Sequence, residues 1–166
     1  MRLILDTLVA LMVTGIFAGV VVHRQTEQRV EADIEQTAES VRHLEQQVML
    51  QSQLGDVDLT RRGYPATMEP EWFTLLPDNP LVGAGHPWVE LAPTWQRDLH
   101  HPPDPVAATP DHARFWYNPS TGSVRARVPA ALTDREALKV YNRINGSDLD
   151  SLHPDPARAE NDGTRH

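Results

Sequence analysis

The sequence predicts an α+β protein in which one long N-terminal helix precedes a small globular head. Three observations support this fold class. No proline occurs before Pro65, and apolar residues recur at helical spacing in the first third of the chain. Twelve prolines then lie between Pro65 and Pro129, where they exclude long helices. Within that span, residues 112–128 alternate in polarity as the two strands of a β-hairpin do.

Composition limits the class of protein further. The chain has 166 residues, 40% of them hydrophobic and 23% charged, which fits one domain of ordinary size. It contains no cysteine, so disulfides, thiolate metal sites and cysteine nucleophiles are excluded. Its net charge of −8 argues against a nucleic-acid partner, which would require Lys and Arg gathered on one face.

Residues 1–23 are predicted to form a transmembrane helix. Twenty residues from Leu3 to Val22 are interrupted only by Asp6. At a rise of ~1.5 Å per residue they extend about 30 Å, the thickness of the hydrocarbon core of a bilayer. A cleaved signal peptide and a buried core helix are the alternatives. A signal peptide should end in small residues at alternate positions, whereas Val20-Val21-Val22-His23-Arg24 follow here.

Residues 24–55 are predicted to form an amphipathic helix that continues the first one, giving a single helix of about 50 residues. Gly55 is its expected C-cap. The apolar stripe must lie against either a partner helix or the head of the same chain, and the sequence leaves both open. The residues of the stripe follow one another at spacings of 4, 4, 3, 3 and 4: Val30, Ile34, Ala38, Val41, Leu44 and Val48.

Residues 56–152 are predicted to form a Pro- and Trp-rich α+β head. Its clearest element is a half-buried hairpin, in which an aromatic and aliphatic face alternates with Arg125 and Arg127 across an Asn-Pro-Ser-Thr-Gly turn. We expect the tryptophans to fill the core, with a groove for Pro-rich or carbohydrate ligands as the alternative.

A short helix is expected to follow the hairpin. Thr133 and Glu136 fit a capping box, and Asn145-Gly146 would end the helix. A third strand through Leu138 and Ile144 is the alternative. Residues 153–166 contain no large apolar side chain and are predicted to be a disordered tail.

No catalytic residue is predicted, because the chain has no GxSxG motif and no serine in a strand-turn-helix context. No cofactor is predicted either. Four histidines invite a zinc hypothesis, but helical zinc sites use His pairs at i and i+4, whereas His100 and His101 are adjacent. We therefore expect surface loops at His86, His100, His101 and His112.

The segment LILDTLVALMVTGIFAGVV, with Asp6 and then Gly15 nine residues later, resembles the N-terminal helix of type IV pilins and of the pseudopilins of type II secretion systems. FWYNPSTGSVRARVP resembles the hairpin of many pseudopilin-like proteins. The resemblance implies a helix whose exposed half packs on a small antiparallel sheet. It also implies a single-pass inner-membrane subunit with its C-terminal head in the periplasm or outside, which assembles into a pilus or pseudopilus.

The resemblance also implies site residues and partners. The acid of the family is thought to meet the α-amino group of a neighbouring subunit, and this is the expected role of Asp6. The expected partners are further copies or other pilin-like subunits, the inner-membrane assembly machinery and membrane lipid. Some pseudopilins bind calcium in a C-terminal loop, and Asn145, Asp148 and Asp150 are weak candidate ligands. The predicted subunit contacts are Asp6, Gly15, Val30, Ile34, Val41, Leu44 and Val48.

The chain departs from the family at two points. The family carries a basic leader ending in glycine, but alignment on the acid places Met1 at that glycine. The true start then lies upstream, or the chain is an unprocessed relative. The family also usually has glutamate where Asp6 stands.

Two other functions compete with the pilin hypothesis. One is a bitopic coiled-coil scaffold of the cell envelope, and the other is a membrane-tethered binding module with a Trp-rich ligand site. The direction of the apolar stripe separates the pilin fold from the coiled coil, because it points to the chain's own hairpin in the first case and outward in the second.

Overall fold

The computed structural model describes the backbone of residues 2–153 and the side chains of residues 24–153. Helix α1 extends over Arg2–Leu54, and a long helix over residues 24–54 is confirmed. It ends where predicted, because Gly55 has a φ of 71° and its N–H donates to the carbonyl of Gln51 at 3.1 Å. The chain forms two compact units that divide between Asp33 and Ile34.

The head consists of short elements, as the proline content requires. Two 3-10 helices lie at Pro70–Trp72 and Thr94–Gln96. The remaining elements are β1 (Val89–Leu91), β2 (Val106–Ala107), β3 (Phe115–Asn118), β4 (Ser123–Ala126), β5 (Val128–Pro129) and α2 (Asp134–Asn145).

The sheet is mixed, which corrects the expectation of a small antiparallel sheet. Its strand order is β1-β3-β4, with β1 parallel to β3 and β3 antiparallel to β4. The second sheet pairs β2 with β5 in parallel. Parallel neighbours need a long crossover. The Pro-rich residues 92–114 provide one between β1 and β3 without an α-helix.

Strands β3 and β4 form the predicted hairpin, in which Phe115 pairs with Ala126 and Asn118 with Ser123. The expectation that one face of the hairpin is exposed is wrong. Trp116 has no exposed surface, because the loop around the second 3-10 helix covers it. Its indole Nε1 donates to Oε1 of Gln96 at 3.1 Å. Both faces of the hairpin are therefore buried.

Helix α2 confirms the predicted helix and excludes the strand alternative. The hydroxyl of Thr133 accepts from the N–H of Glu136, and the Glu136 carboxylate accepts from the N–H of Thr133. Gly146 ends the helix in the left-handed conformation, with a φ of 57°.

One hydrophobic core joins α1, the hairpin and α2 in the second unit. The tryptophans divide between core and surface. Trp72 and Trp88 pack partly buried against this core, and Trp116 is buried on the other face of the sheet, but Trp95 is exposed. The aromatic side chains of the core are Phe73, Phe115, Tyr117 and Tyr141, and the aliphatic side chains packed with them include Leu44 and Ile144.

No helix among the residues with described side chains is long and apolar enough to cross a membrane. The predicted transmembrane segment 1–23, with Asp6 and Gly15, lies outside those residues, and so do residues 154–166 of the predicted tail.

Candidate assembly surface

The inner face of α1 is part of the core of the head. Ile34, Ala38, Val41, Leu44 and Val48 are all buried and belong to the same cluster as the hairpin and α2. Of the predicted subunit contacts with described side chains, only Val30 is exposed, at 48%. The other four, Ile34, Val41, Leu44 and Val48, are already covered within one chain, so a contact with another subunit would have to use other faces of α1.

A buried polar group fixes α1 against the start of the hairpin. The side chain of Asn79 is fully buried. Its Oδ1 accepts from the hydroxyl of Thr37 at 3.2 Å, and its Nδ2 donates to the carbonyls of Arg127 at 2.8 Å and Arg114 at 3.2 Å. Because an unpaired buried amide would be costly, this arrangement selects one register of the helix on the sheet.

Charged side chains bind the head together around the hairpin. Arg125 on β4 donates to Glu45 of α1 at 2.9 Å. Arg127 is almost fully buried and donates to the carboxylate of Glu90 at 2.8 Å and to the carbonyl of Ala113 at 3.0 Å. Arg114 pairs with Asp78. These contacts tie α1, strand β1, the segment before β1 and the end of the crossover to the hairpin and its flanking residues.

The outer face of α1 is exposed and forms a shallow groove. Met49 is 52% exposed and Leu50 45% exposed. At 100° per residue, Leu50 lies opposite the side chains that enter the core, whereas Met49 lies on the flank of the helix between the two. The groove is lined by Arg42, Glu45, Gln46, Met49, Leu50 and Gln53.

The loop after β1 exposes the side chain of Trp95. Trp95 is 77% exposed, although the backbone that follows it is hydrogen-bonded to the head. The buried Asn118 donates to the carbonyls of Gln96 at 3.0 Å and Leu99 at 2.7 Å. Asp98 lies between Arg62 and Arg97, and these two guanidinium groups lower the pKa of its carboxyl.

The four candidate zinc ligands do not converge. His86 donates to the carbonyl of His112, whose Nδ1 accepts from the N–H of Ala108. His100 is hydrogen-bonded to the hydroxyl of Ser123 and His101 to that of Tyr141. Within the described part of the chain, no group of three or more His, Cys, Asp or Glu residues is placed to hold a metal ion.

His101 is the described histidine with the clearest electrostatic perturbation. Burial and the nearby positive charges of Arg125 and His100 lower its pKa from 6.5 to about 4. Its Nδ1 lies 3.0 Å from the hydroxyl of Tyr141, whose own pKa is raised by burial. The imidazole is therefore neutral in the folded head at neutral pH.

The three candidate calcium ligands lie in different surroundings. Asn145 is buried, and its amide pairs with the backbone of Ala126 on β4, accepting at 2.7 Å and donating at 3.0 Å. It thereby occupies the free edge of β4. Asp148 and Asp150 are exposed beyond the end of α2. Since its Oδ1 is already occupied, Asn145 serves the sheet instead of a cation.

No protein-family model, curated protein or solved structure matches this chain.

The sequence did not predict two features of the head, the burial of Asn79 and the exposure of Trp95. Asn79 stands in Pro-Asp-Asn-Pro, which has the composition of a solvent-exposed turn, yet it is fully buried. Trp95 has no local feature that separates it from the buried Trp116. Only the one-sided exposure of α1 was visible beforehand, from the spacing of its apolar residues.

Proposed function

We propose that this protein is a pseudopilin-like structural subunit and not an enzyme. Residues 1–23 anchor it in the inner membrane as a single transmembrane helix, with the C-terminal head in the periplasm or outside. Subunits assemble, with further copies or other pilin-like subunits, into the pilus or pseudopilus of a type II secretion or type IV pilus-like system.

The observation that carries this proposal is the burial of the α1 stripe in the chain's own head. In the pilin family the exposed half of the long helix packs on the sheet of its own chain. Here Val41, Leu44 and Val48 of α1 share a core with Phe115 and Tyr117 of the hairpin. The same helix contains the apolar segment that resembles the pilin N-terminus.

The coiled-coil scaffold fits this arrangement poorly. A coiled coil needs an apolar seam that is free to receive knobs from a partner helix. The seam of α1 between Ile34 and Val48 is occupied by the head, and its outer face carries charged and polar side chains around Met49 and Leu50.

The first test is the N-terminal sequence and mass of the protein isolated from its native membranes, expressed with its upstream coding sequence. A pilin-type subunit begins just before the apolar helix, with a short leader removed and a methylated amine. An unprocessed N-terminus on protein that never appears in a sheared filament fraction would reject the proposal.

Variants of Asp6 test the assembly role directly. An ionised carboxylate near lipid is costly unless it is paired. Asp6→Asn should keep the protein in the membrane but abolish filaments, whereas Asp6→Glu, which has the usual acid of the family, should retain them. Normal filament yields from both variants would show that the charge of Asp6 is not needed for assembly.

A further inference from the structure

The three-stranded sheet of the head has one covered edge and one open edge. At the covered edge, the amide of Asn145 accepts from the N–H of Ala126 at 2.7 Å and donates to its carbonyl at 3.0 Å. On the same edge, the guanidinium of Arg125 donates to the carbonyl of Val124 at 2.6 Å. Strand β1 forms the opposite edge of the sheet, next to β3.

The backbone groups of two β1 residues face away from the sheet. The carbonyl of Trp88 and the N–H of Ala92 both bond to β3, at 3.0 and 2.8 Å. Because successive residues of a strand turn their backbone groups to opposite sides, those of Glu90 also face β3 and those of Val89 and Leu91 face outward. Within the described part of the chain, no group hydrogen-bonds to these two N–H groups or two carbonyls. An edge of this kind is a template for one more strand.

The side chains of β1 define what can lie beside this edge. Val89 and Leu91 are in register with two core residues of β3, and Leu91 is 41% exposed. Glu90 lies on the other face of the sheet, where its side chain is 38% exposed. Since facing side chains on neighbouring strands contact each other, an added strand fits best with apolar side chains at two alternate positions.

Charge selects a basic side chain between those two positions. Glu90 accepts from the buried Arg127 through Oε2, and its Oε1 has no hydrogen bond within the described residues. The same guanidinium donates through Nε to the carbonyl of Asp104 at 2.8 Å, so a second acidic residue, which is exposed, lies beside this pair. The whole chain has a net charge of −8, so long-range electrostatics favour a basic partner and oppose a second copy.

We propose that the outer edge of β1 binds an extended, basic segment of a partner protein. Its apolar side chains lie beside Val89 and Leu91, and the basic side chain between them lies beside Glu90. Main-chain hydrogen bonds to the edge supply the affinity of such a contact, and the alternate side chains supply its specificity. The inference goes beyond the proposed function, because it concerns the head alone and no step of filament assembly.

Amide hydrogen exchange in the full-length protein in detergent micelles tests the contact. The probe is the synthetic peptide Gly-Thr-Val-Lys-Val-Thr-Gly, blocked at both ends, and exchange is followed at single residues by NMR. In the free protein, the N–H of Glu90 should exchange slowly and those of Val89 and Leu91 rapidly. At saturation with the peptide, we expect exchange at Val89 and Leu91 to slow about tenfold or more, with little change at Glu90.

Two matched pairs test the chemistry of binding. A peptide with glutamate in place of the lysine should bind about tenfold more weakly, because an opposite-charge pair with Glu90 becomes a like-charge pair. In the protein, Leu91→Pro removes an outward N–H and should weaken binding of the lysine peptide about tenfold. Leu91→Val retains that N–H and an apolar side chain, so it should change the affinity less than about twofold. Equal urea midpoints of the two variants separate a lost hydrogen bond from a lost fold.

Three results would overturn the proposal. Unchanged exchange at Val89 and Leu91 would show that the edge adds no strand. Slow exchange at both residues without peptide, and slower still at higher protein concentration, would show that a second copy occupies the edge. Equal affinities for the lysine and glutamate peptides would show that the edge selects no base. If Leu91→Pro unfolds the head, the exchange data and the peptide pair still decide. Because no measurement here needs filaments, failure of the contact leaves the pilin-type function intact.

Discussion

The burial of the α1 stripe gives the most direct stability test of the fold. Leu44 has no exposed surface and lies in the core between α1 and the hairpin. Truncating a buried leucine to alanine removes the transfer free energy of its side chain and leaves a cavity, at a cost of about 3 kcal/mol. With a urea m-value of about 2 kcal/mol per M, Leu44→Ala should lower the unfolding midpoint by about 1.5 M.

The chain offers a matched control on the same helix. Leu50→Ala makes the same chemical change at a position that is 45% exposed on the outer face. Both variants replace leucine with a good helix former, so helix propensity does not separate them. A surface change of this kind costs at most about 0.5 kcal/mol, which is about 0.25 M of urea.

The assay is urea unfolding of the full chain in detergent micelles, followed by tryptophan fluorescence. Trp116 has no exposed surface and Trp88 packs edge-on against Phe73 at 5.8 Å, so both report on the core. Equal midpoints for Leu44→Ala and Leu50→Ala would refute the reasoning, because the stripe would then not be part of the head.

Three further predictions concern the head. Asn79→Ala removes the three hydrogen bonds of a fully buried amide, one from the hydroxyl of Thr37 and two to the carbonyls of Arg127 and Arg114, so it should cost about 2–3 kcal/mol by the same urea assay; a loss under about 0.5 kcal/mol would show that water replaces the amide. Gly122→Ala should destabilise more than Gly83→Ala. Both glycines have a positive φ, 71° and 82°, but only at Gly122 would a Cβ lie 2.5 Å from the ring of Tyr64, and equal midpoints would contradict this. His101 has a folded pKa of about 4 against an ordinary 6.5, so the unfolded chain binds the extra proton between these values. Stability should therefore fall as the pH is lowered from 6.5 towards 4, and His101→Gln should flatten that slope in midpoints measured at several pH values.

Local signals predicted the helices well. The capping box of α2 joins Thr133 to Glu136 within a single turn, and Gly146 supplies the left-handed residue that ends the helix. The length of α1 follows from the absence of prolines and the regular spacing of its apolar residues. Such features depend on neighbours in sequence, so they are readable before any tertiary structure is known.

The sheet could be predicted only in part. The hairpin has its own turn and alternation, but β1 has only three residues, and its partner β3 lies beyond the whole crossover. The burial of the second hairpin face depends on Gln96, which is 20 residues away from Trp116. The displayed Trp95 and the fully buried Asn79 were unpredictable for the same reason, because long-range packing alone decides which polar or aromatic side chain is covered.

The shared core of α1 and the head also sets the order in which the chain can fold during synthesis. Glu45 of α1 meets its partner Arg125 across 80 residues of sequence, and the stripe beside Glu45 shares a core with α2, which lies further along still. Contacts of such large separation form late. The apolar stripe of α1 therefore emerges from the ribosome long before its cover exists, and the nascent chain exposes that stripe to aggregation until α2 has been made.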